Sequence, residues 1–348
     1  MRSLVAVYGL INVLAVFMIN GCAPVRSVPE LPQTKVELVW PSPPEIPRIR
    51  YLASIAVPAD LGFTKSFFRR VWEFFVGEEK EKIIKPYGIH TDQEGRIYVV
   101  DSSARVVHVF DRKGQSYRKI GDPKKLKFPI DVAIGPKGQI LVSDSELAVV
   151  LVFDFSGNLL KEIGAGDLIR PAGIAYNSKN GLLYVVDVSQ HQVFAFDPQG
   201  QVRYRVGRRG EGNGEFNFPT NVTVDKRGFL YVTDSLNFRV QVFDSEGNFV
   251  FRYGQAGDAL GYFSKQKGVA LDSEGHIYVV EGLYDTVLIF DQKGRLLLNF
   301  GSAGAGPGQF WLATGIFIDS QDRIYVADSY NQRIQLFQYL SVGNKTKP

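Results

Sequence analysis

From Tyr87 onward, short runs of alternating apolar and polar residues are broken by turn residues, the period-2 signature of half-buried strands. The stretch 218–254, FPTNVTVDKRGFLYVTDSLNFRVQVFDSEGNFVFRYG, shows one complete unit. It predicts a first strand at 221–224 and a turn from Asp225 to Gly228, then a second strand at 229–233. A four-residue loop, a third strand at 240–243, a turn from Asp244 to Gly247 and a fourth strand at 249–253 follow. An Asp-x-x-Gly spacing suits a type I turn closed by a glycine in the left-handed region. The same turn recurs at 111–114, 154–157, 197–200 and 291–294. Each unit is therefore expected to be a four-stranded antiparallel meander.

The units repeat. An acid ends an apolar strand at Asp101, Asp144, Asp187, Asp234 and Glu281; Phe110, Phe153, Phe196, Phe243 and Phe290 each follow nine residues later. Gly121, Gly164, Gly207, Gly254 and Gly301 lie twenty residues after the acids, and a sixth copy begins at Asp328 and Phe337. The step between acids is 43, 43, 47, 47 and 47 residues. Four short strands in such a period make one propeller blade, stacked so that each copy buries its neighbour's face. The sixth copy has only three strands, at 315–318, 323–327 and 333–337. The run IRYLASIAV at 49–57 is an isolated strand upstream of the first blade. It is expected to add the outer strand of the last blade, joining the two ends and leaving no unpaired edge. The fold class is all-β: a six-bladed β-propeller of four-stranded antiparallel blades, closed by an N-terminal strand, with one short amphipathic helix before the first blade.

That helix is expected at 64–76, where Phe67, Phe68, Val71, Trp72 and Phe75 form one apolar stripe and Lys65, Arg69, Arg70 and Glu73 fall largely opposite. It is read as a cap on its own domain, with a membrane-surface helix as the alternative. Pro24, Pro29, Pro32, Pro41, Pro43, Pro44 and Pro47 make residues 22–47 a stiff tether, and 341–348 a tail.

Two motifs carry a family resemblance. Ile-Tyr-Val-x-Asp-Ser followed by Asn-x-Arg-Ile-Gln-x-Phe, at 324–337, resembles the NHL repeat, as does Pro-x-Gly-Ile-Ala at 171–175. The likeness covers roughly residues 87–340, and the proline-rich tether leading into RIRYLASI resembles bacterial six-bladed propeller lipoproteins. NHL propellers are mostly binding platforms, with some lyase and hydrolase members, so the resemblance narrows function only weakly.

The N-terminus fits that picture. Met1-Arg2-Ser3 precedes an apolar run at 4–19, which is shorter than the roughly 20 residues that span a membrane. Ile19-Asn20-Gly21-Cys22 resembles a lipobox, which implies a signal peptide at 1–21 and lipid on Cys22, the only cysteine. An ordinary secretory signal is the alternative. Ala23 in place of aspartate implies the periplasmic face of an outer membrane.

Composition adds little: 45% hydrophobic and 22% charged residues, with 25 Phe, 16 Tyr and 35 Gly, favour strands and turns. The net charge of +4 is interspersed, with no basic run to suggest nucleic acid. The protein is expected to be a monomer.

Several motifs invite chemical readings. Gly207-x-x-Gly210-x-Gly212-x-Gly214-x-Phe216 and its counterpart from Gly301 to Phe310 look like phosphate-cradling loops. The same offsets recur at Gly254, Gly257, Gly261 and Phe263 with no helix following, so they are read as blade-to-blade crossings. The strand-end acids occur in every blade and are expected to accept backbone N–H bonds. His90, His108, His191 and His276 fall in different layers, so three cannot converge on one zinc. No nucleophile–base pair, metal site or cofactor is expected.

What remains is where the copies differ. Along the first strands one inward position reads Gly88, Asp131, Gly173, Asn221, Gly268, Gly315, and the next reads His90, Ala133, Ala175, Thr223, Ala270, Phe317. Asp131 and Asn221 are the polar exceptions in a narrow channel, either bridged by water or, with a hard cation, part of a lactonase-like site that lacks a third carboxylate. The loops between second and third strands vary freely and place Arg105, Arg239, Tyr284, Tyr330 and Arg333 on one face, beside Lys124, Lys125, Arg208 and Arg209. Arg and Tyr suit interfaces. The sequence therefore suggests a lipid-anchored, non-catalytic scaffold that binds an envelope protein or polysaccharide; the alternative is a metal-dependent propeller hydrolase or lyase.

Overall fold

The computed structural model describes residues 38–63, 81–122 and 124–341. The expected helix at 64–76, the expected signal peptide with Cys22 after it, and all but the first residue of the tail at 341–348 lie outside the described residues. Among those described, no helix is long and apolar enough to cross a membrane.

Six antiparallel sheets form the ring. Their first strands, which line the axis, are Pro86–Thr91, Pro129–Ile134, Pro171–Asn177, Pro219–Val224, Gln266–Leu271 and Ala313–Ile318. First strands of neighbouring blades lie against one another all the way round, including the sixth against the first. In every blade the pairing of first and second strands shifts near its start, as between Pro129 and Asp131 or Gln266 and Val269. A bulge there re-aims the side chain that follows, and bulges commonly sit beside functional sites. The shifted interval includes Gly88, Asp131, Gly173, Asn221, Gly268 and Gly315.

The last blade is completed as the sequence suggests. Ile49–Ile55 pairs antiparallel with Arg333–Tyr339, from Ile49 opposite Tyr339 to Ile55 opposite Ile334. One element was not foreseen. Val39–Trp40, inside the proline-rich segment, adds a fifth strand outside Ile49–Ile55. The reason is packing: the Trp40 ring lies 5.9 Å from Phe300 and 5.8 Å from Phe337, so the tether's end is stapled to the core.

Between blades the core repeats with the sequence. Phe110, Phe153, Phe196, Phe243, Phe290 and Phe337 are all buried, as are Tyr98, Tyr184, Tyr231, Tyr278 and Tyr325 of the second strands. The glycines mark close approaches. Gly207 has φ of +88°, and a Cβ on it would strike the Phe216 ring, which plugs the start of the crossing. In the two shorter crossings Leu126 and Leu168 take the place of that ring against Gly121 and Gly164.

Candidate functional site at the channel mouth

The strand-end acids are scaffold, as their regularity suggests. Asp144 accepts N–H bonds from Lys127 and Phe128 of the incoming crossing and from Glu146 and Leu147 of its own loop. Asp101 and Asp187 do the same with Ile84, Lys85, Ser103 and Ala104, and with Ile169, Arg170, Ser189 and Gln190. Each carboxylate thus ties two loops to one strand end. It holds in place the residues that rim the axis.

Blades 4 and 6 use a different tie, and it changes the reading of two candidate residues. Arg239 is only 3% exposed. Its Nε donates to Asp234, and its terminal nitrogens donate to the carbonyls of Glu211, Gly212 and Glu215 in the glycine crossing. Arg333 does the equivalent with Asp328, Gly306 and Gln309. Gln241 and Gln335 complete each clamp, and Asn237 and Asn331 join the acid to the crossing. Arg239 and Arg333 were expected to face a partner; instead their guanidinium groups are spent on backbone carbonyls inside the molecule.

Asp131 and Asn221 are brought together, both lining the cavity at the mouth. Each also spans a blade boundary. Asp131 accepts the N–H of Ile174 in blade 3 at 3.0 Å, with its other oxygen on Val132 N–H, and Asn221 Oδ1 accepts that of Val269 in blade 5 at 3.4 Å. Gly88 and Gly173 leave room for these neighbours, since a Cβ on either would collide with Asp131 or Asn221. Backbone N–H groups thus satisfy both Asp131 oxygens and the Asn221 amide oxygen. Burial raises the Asp131 pKa to about 7, against the lowering effect of its two backbone bonds. Among the described residues, no group of three His, Cys, Asp or Glu side chains could hold a metal ion.

Above this floor opens a funnel of about 580 Å³ on the loop-rich face. Its cations are Lys85 of blade 1, Arg170 of blade 3 and Lys267 of blade 5. Phe128 and Phe218 stand between them on blades 2 and 4. None of the three cations forms an ion pair among the described residues. Burial, with Lys265 beside it, lowers the Lys267 pKa. Burial and the Asp131 charge raise that of Tyr87, next to Arg170. With Asp131 as the one carboxylate among the described residues of the lining, the funnel is positive.

Tyr330 lies beside the funnel's Lys85, whose Nζ is 5.9 Å from its ring, and Trp311 packs 5.5 Å from it. Tyr284 lies apart, in a smaller cleft of about 270 Å³ with Leu260 and Tyr262. Arg105 is exposed on its loop and does not line the funnel. The histidines are dispersed. His191 Nδ1 accepts the Phe218 N–H, His108 contacts Asp101 and Tyr117, His276 contacts Asp272, and the His90 ring packs tilted against Phe317 with centroids 4.2 Å apart.

Lys85, Arg170, Lys267, Phe128, Phe218 and Trp311 were missed by sequence reasoning. A pattern was available for four of them, though not for Lys267 or Trp311. The residue just before each first strand reads Lys85, Phe128, Arg170, Phe218, Lys265, Leu312, alternating basic and apolar round the ring.

A family model described as 6-bladed beta-propeller matches residues 174–229 and 264–342, and the NHL repeat model matches 216–243. No curated protein matches the sequence. Among solved structures, virginiamycin B lyase from Staphylococcus aureus is similar over 74% of this chain and 95% of its own, at 15% identity and a TM-score of 0.55. An auxiliary nutrient binding protein from Bacteroides thetaiotaomicron is similar over 75% and 71%, at 12% identity and 0.60. Kuenenia stuttgartiensis hydrazine synthase is similar over 76% and 100%, at 14% identity and 0.54. Identities this low speak for the fold alone. The chain is a six-bladed β-propeller, and one stretch of it, 216–243, matches the NHL repeat.

Proposed function

We propose that this protein is a non-catalytic binding scaffold of the cell envelope, anchored by lipid on Cys22, that recognises a protein or glycan through the funnel on its loop-rich face. The observation that carries this reading is the funnel itself. It is concave, its volume lies in the range of ligand sites, and apolar walls alternate with three cations that form no ion pair among the described residues. A rigid ring presenting varied loops is a common way to build a binding face. The candidate acid at the floor gives both oxygens to backbone N–H groups, which suits a structural post better than a proton carrier. The auxiliary nutrient binding protein that shares this fold is in keeping with a binding role.

The test uses the full chain, purified in detergent, as bait in envelope extract. A partner should be captured by the parent and by Lys226→Glu on the opposite face, and lost when Lys85, Arg170 and Lys267 are changed together to alanine. Capture that survives the triple change would overturn the reading of the funnel. Cys22→Ser should move the chain from the membrane to the soluble fraction, and continued sedimentation with membranes would refute the lipid anchor.

A further inference from the structure

We infer that the funnel takes an acidic carbohydrate, a sugar oligomer carrying carboxylate or phosphate groups; this rests on the binding reading above and names its ligand. Three features lead to it. The first is charge: Lys85, Arg170 and Lys267 come from alternate blades and surround one cavity, so a ligand with several anionic groups meets cations on three sides. None of them is neutralised by an ion pair among the described residues. Charge-assisted hydrogen bonds are the strong ones, and Arg170 adds the planar fork that matches a carboxylate or phosphate.

The second feature is the aromatic pair. Trp311 and Tyr330 are about half exposed, 54% and 50%, and packed on each other beside Lys85. Large aromatic faces left open next to a cation suit a ring that is apolar on its faces and charged at its edge. The C–H face of a pyranose meets the negative face of the aromatic ring, while its acid group reaches the lysine.

The third feature is shape. A cavity of about 580 Å³, floored by Asp131 and Asn221, admits a short oligomer or the end of a chain. A folded protein partner needs a broad surface, about 800 Å² on each side. The funnel walls are concave and narrow, which favours the glycan over the protein.

The experiment is a calorimetric titration of the full chain in detergent. The probes are trigalacturonate, its uncharged galactose counterpart, inorganic phosphate and a short polyglutamate peptide. Trigalacturonate should bind, and more weakly as salt is raised. Its affinity should fall about tenfold for each of Lys85→Ala and Arg170→Ala, the loss expected when one charge-assisted contact is removed. Trp311→Ala should weaken it as well, with melting temperature unchanged because the residue is exposed. The galactose trimer should bind at least tenfold less tightly than the acid, and phosphate should compete poorly.

Equal binding of the neutral trimer would overturn the proposal by removing charge from recognition. Tight binding of polyglutamate would overturn it in favour of an acidic protein segment. Phosphate competing as well as the trimer would leave only a small-anion site and would also overturn it. Absence of sugar binding, with extract capture still lost in the triple variant, rejects the carbohydrate while leaving the binding reading intact. Loss of neither rejects both.

Discussion

Burial acts in opposite directions on two titratable side chains at the axis. His90 is half-buried, its buried Nδ1 has no hydrogen-bond partner among the described residues, and desolvation lowers its pKa to about 4. Asp131 is raised to about 7 by the same physics. The signs follow from linkage. Neutral His90 supports the fold fully above its unfolded pKa near 6.5, and that support is lost as pH falls through about 4. Asp131 keeps its proton in the fold but loses it near 4 when unfolded, so its contribution declines as pH rises from about 4 to about 7. The two slopes oppose each other over most of that window.

Single variants should separate them in urea unfolding across pH. Asp131→Asn should gain on the parent as pH rises, by on the order of 2–4 kcal/mol at pH 8, because Asn221 already fills the equivalent place in blade 4 with an amide. His90→Phe should gain on the parent as pH falls below 6. A pH-independent difference in either case would refute the assignment. Arg239→Ala should cost about 3–5 kcal/mol, since it leaves Asp234 buried without its main cation and releases the crossing at 211–215. A loss below about 1 kcal/mol would place Arg239 among ordinary exposed pairs.

At the scale of elements, the ring stands on its seam. Ile49–Ile55 covers the edge of Arg333–Tyr339, and Ile49 and Ile55 are wholly buried in two different core clusters. Removing 38–57 should therefore lower the melting temperature by tens of degrees and expose an edge strand that drives association. A shortened chain that melts with the parent as a monomer would show that the seam is closed by blade packing alone. Blade number, strand order and this closing strand were legible because they follow from a backbone period that survives side-chain change. Trp40 was not legible. Prolines surround it, and its partners Phe300 and Phe337 lie at the far end of the chain. Arg239 and Arg333 misled for a related reason: their carbonyl partners lie 24 to 28 residues away, so an arginine clamp and an arginine on a binding face read alike in sequence. Lys85, Arg170 and Lys267 sit at strand starts. Only the closed ring turns those separate positions into one rim.

Across the whole molecule, the modest net charge of +4 hides a polarity along the axis. The funnel on the loop-rich face carries Lys85, Arg170 and Lys267. The depression on the opposite face is lined by Asp225, Asp272, Glu274, Asp319 and Asp322, with Lys226 and Arg227 as its cations. A body with this charge distribution orients its funnel toward anionic partners at a distance, an effect that fades as salt shortens the Debye length. The loop-rich face is therefore the one expected to bind, and amide hydrogen exchange reads this directly. The full chain is compared with and without the envelope fraction that it captures. New protection should fall on the loop-rich face, at 82–85, 124–128, 167–170 and 208–218, while the turns at 92–95, 225–228 and 272–275 exchange as before. Protection confined to those turns would instead place the partner on the opposite face and rule out the funnel.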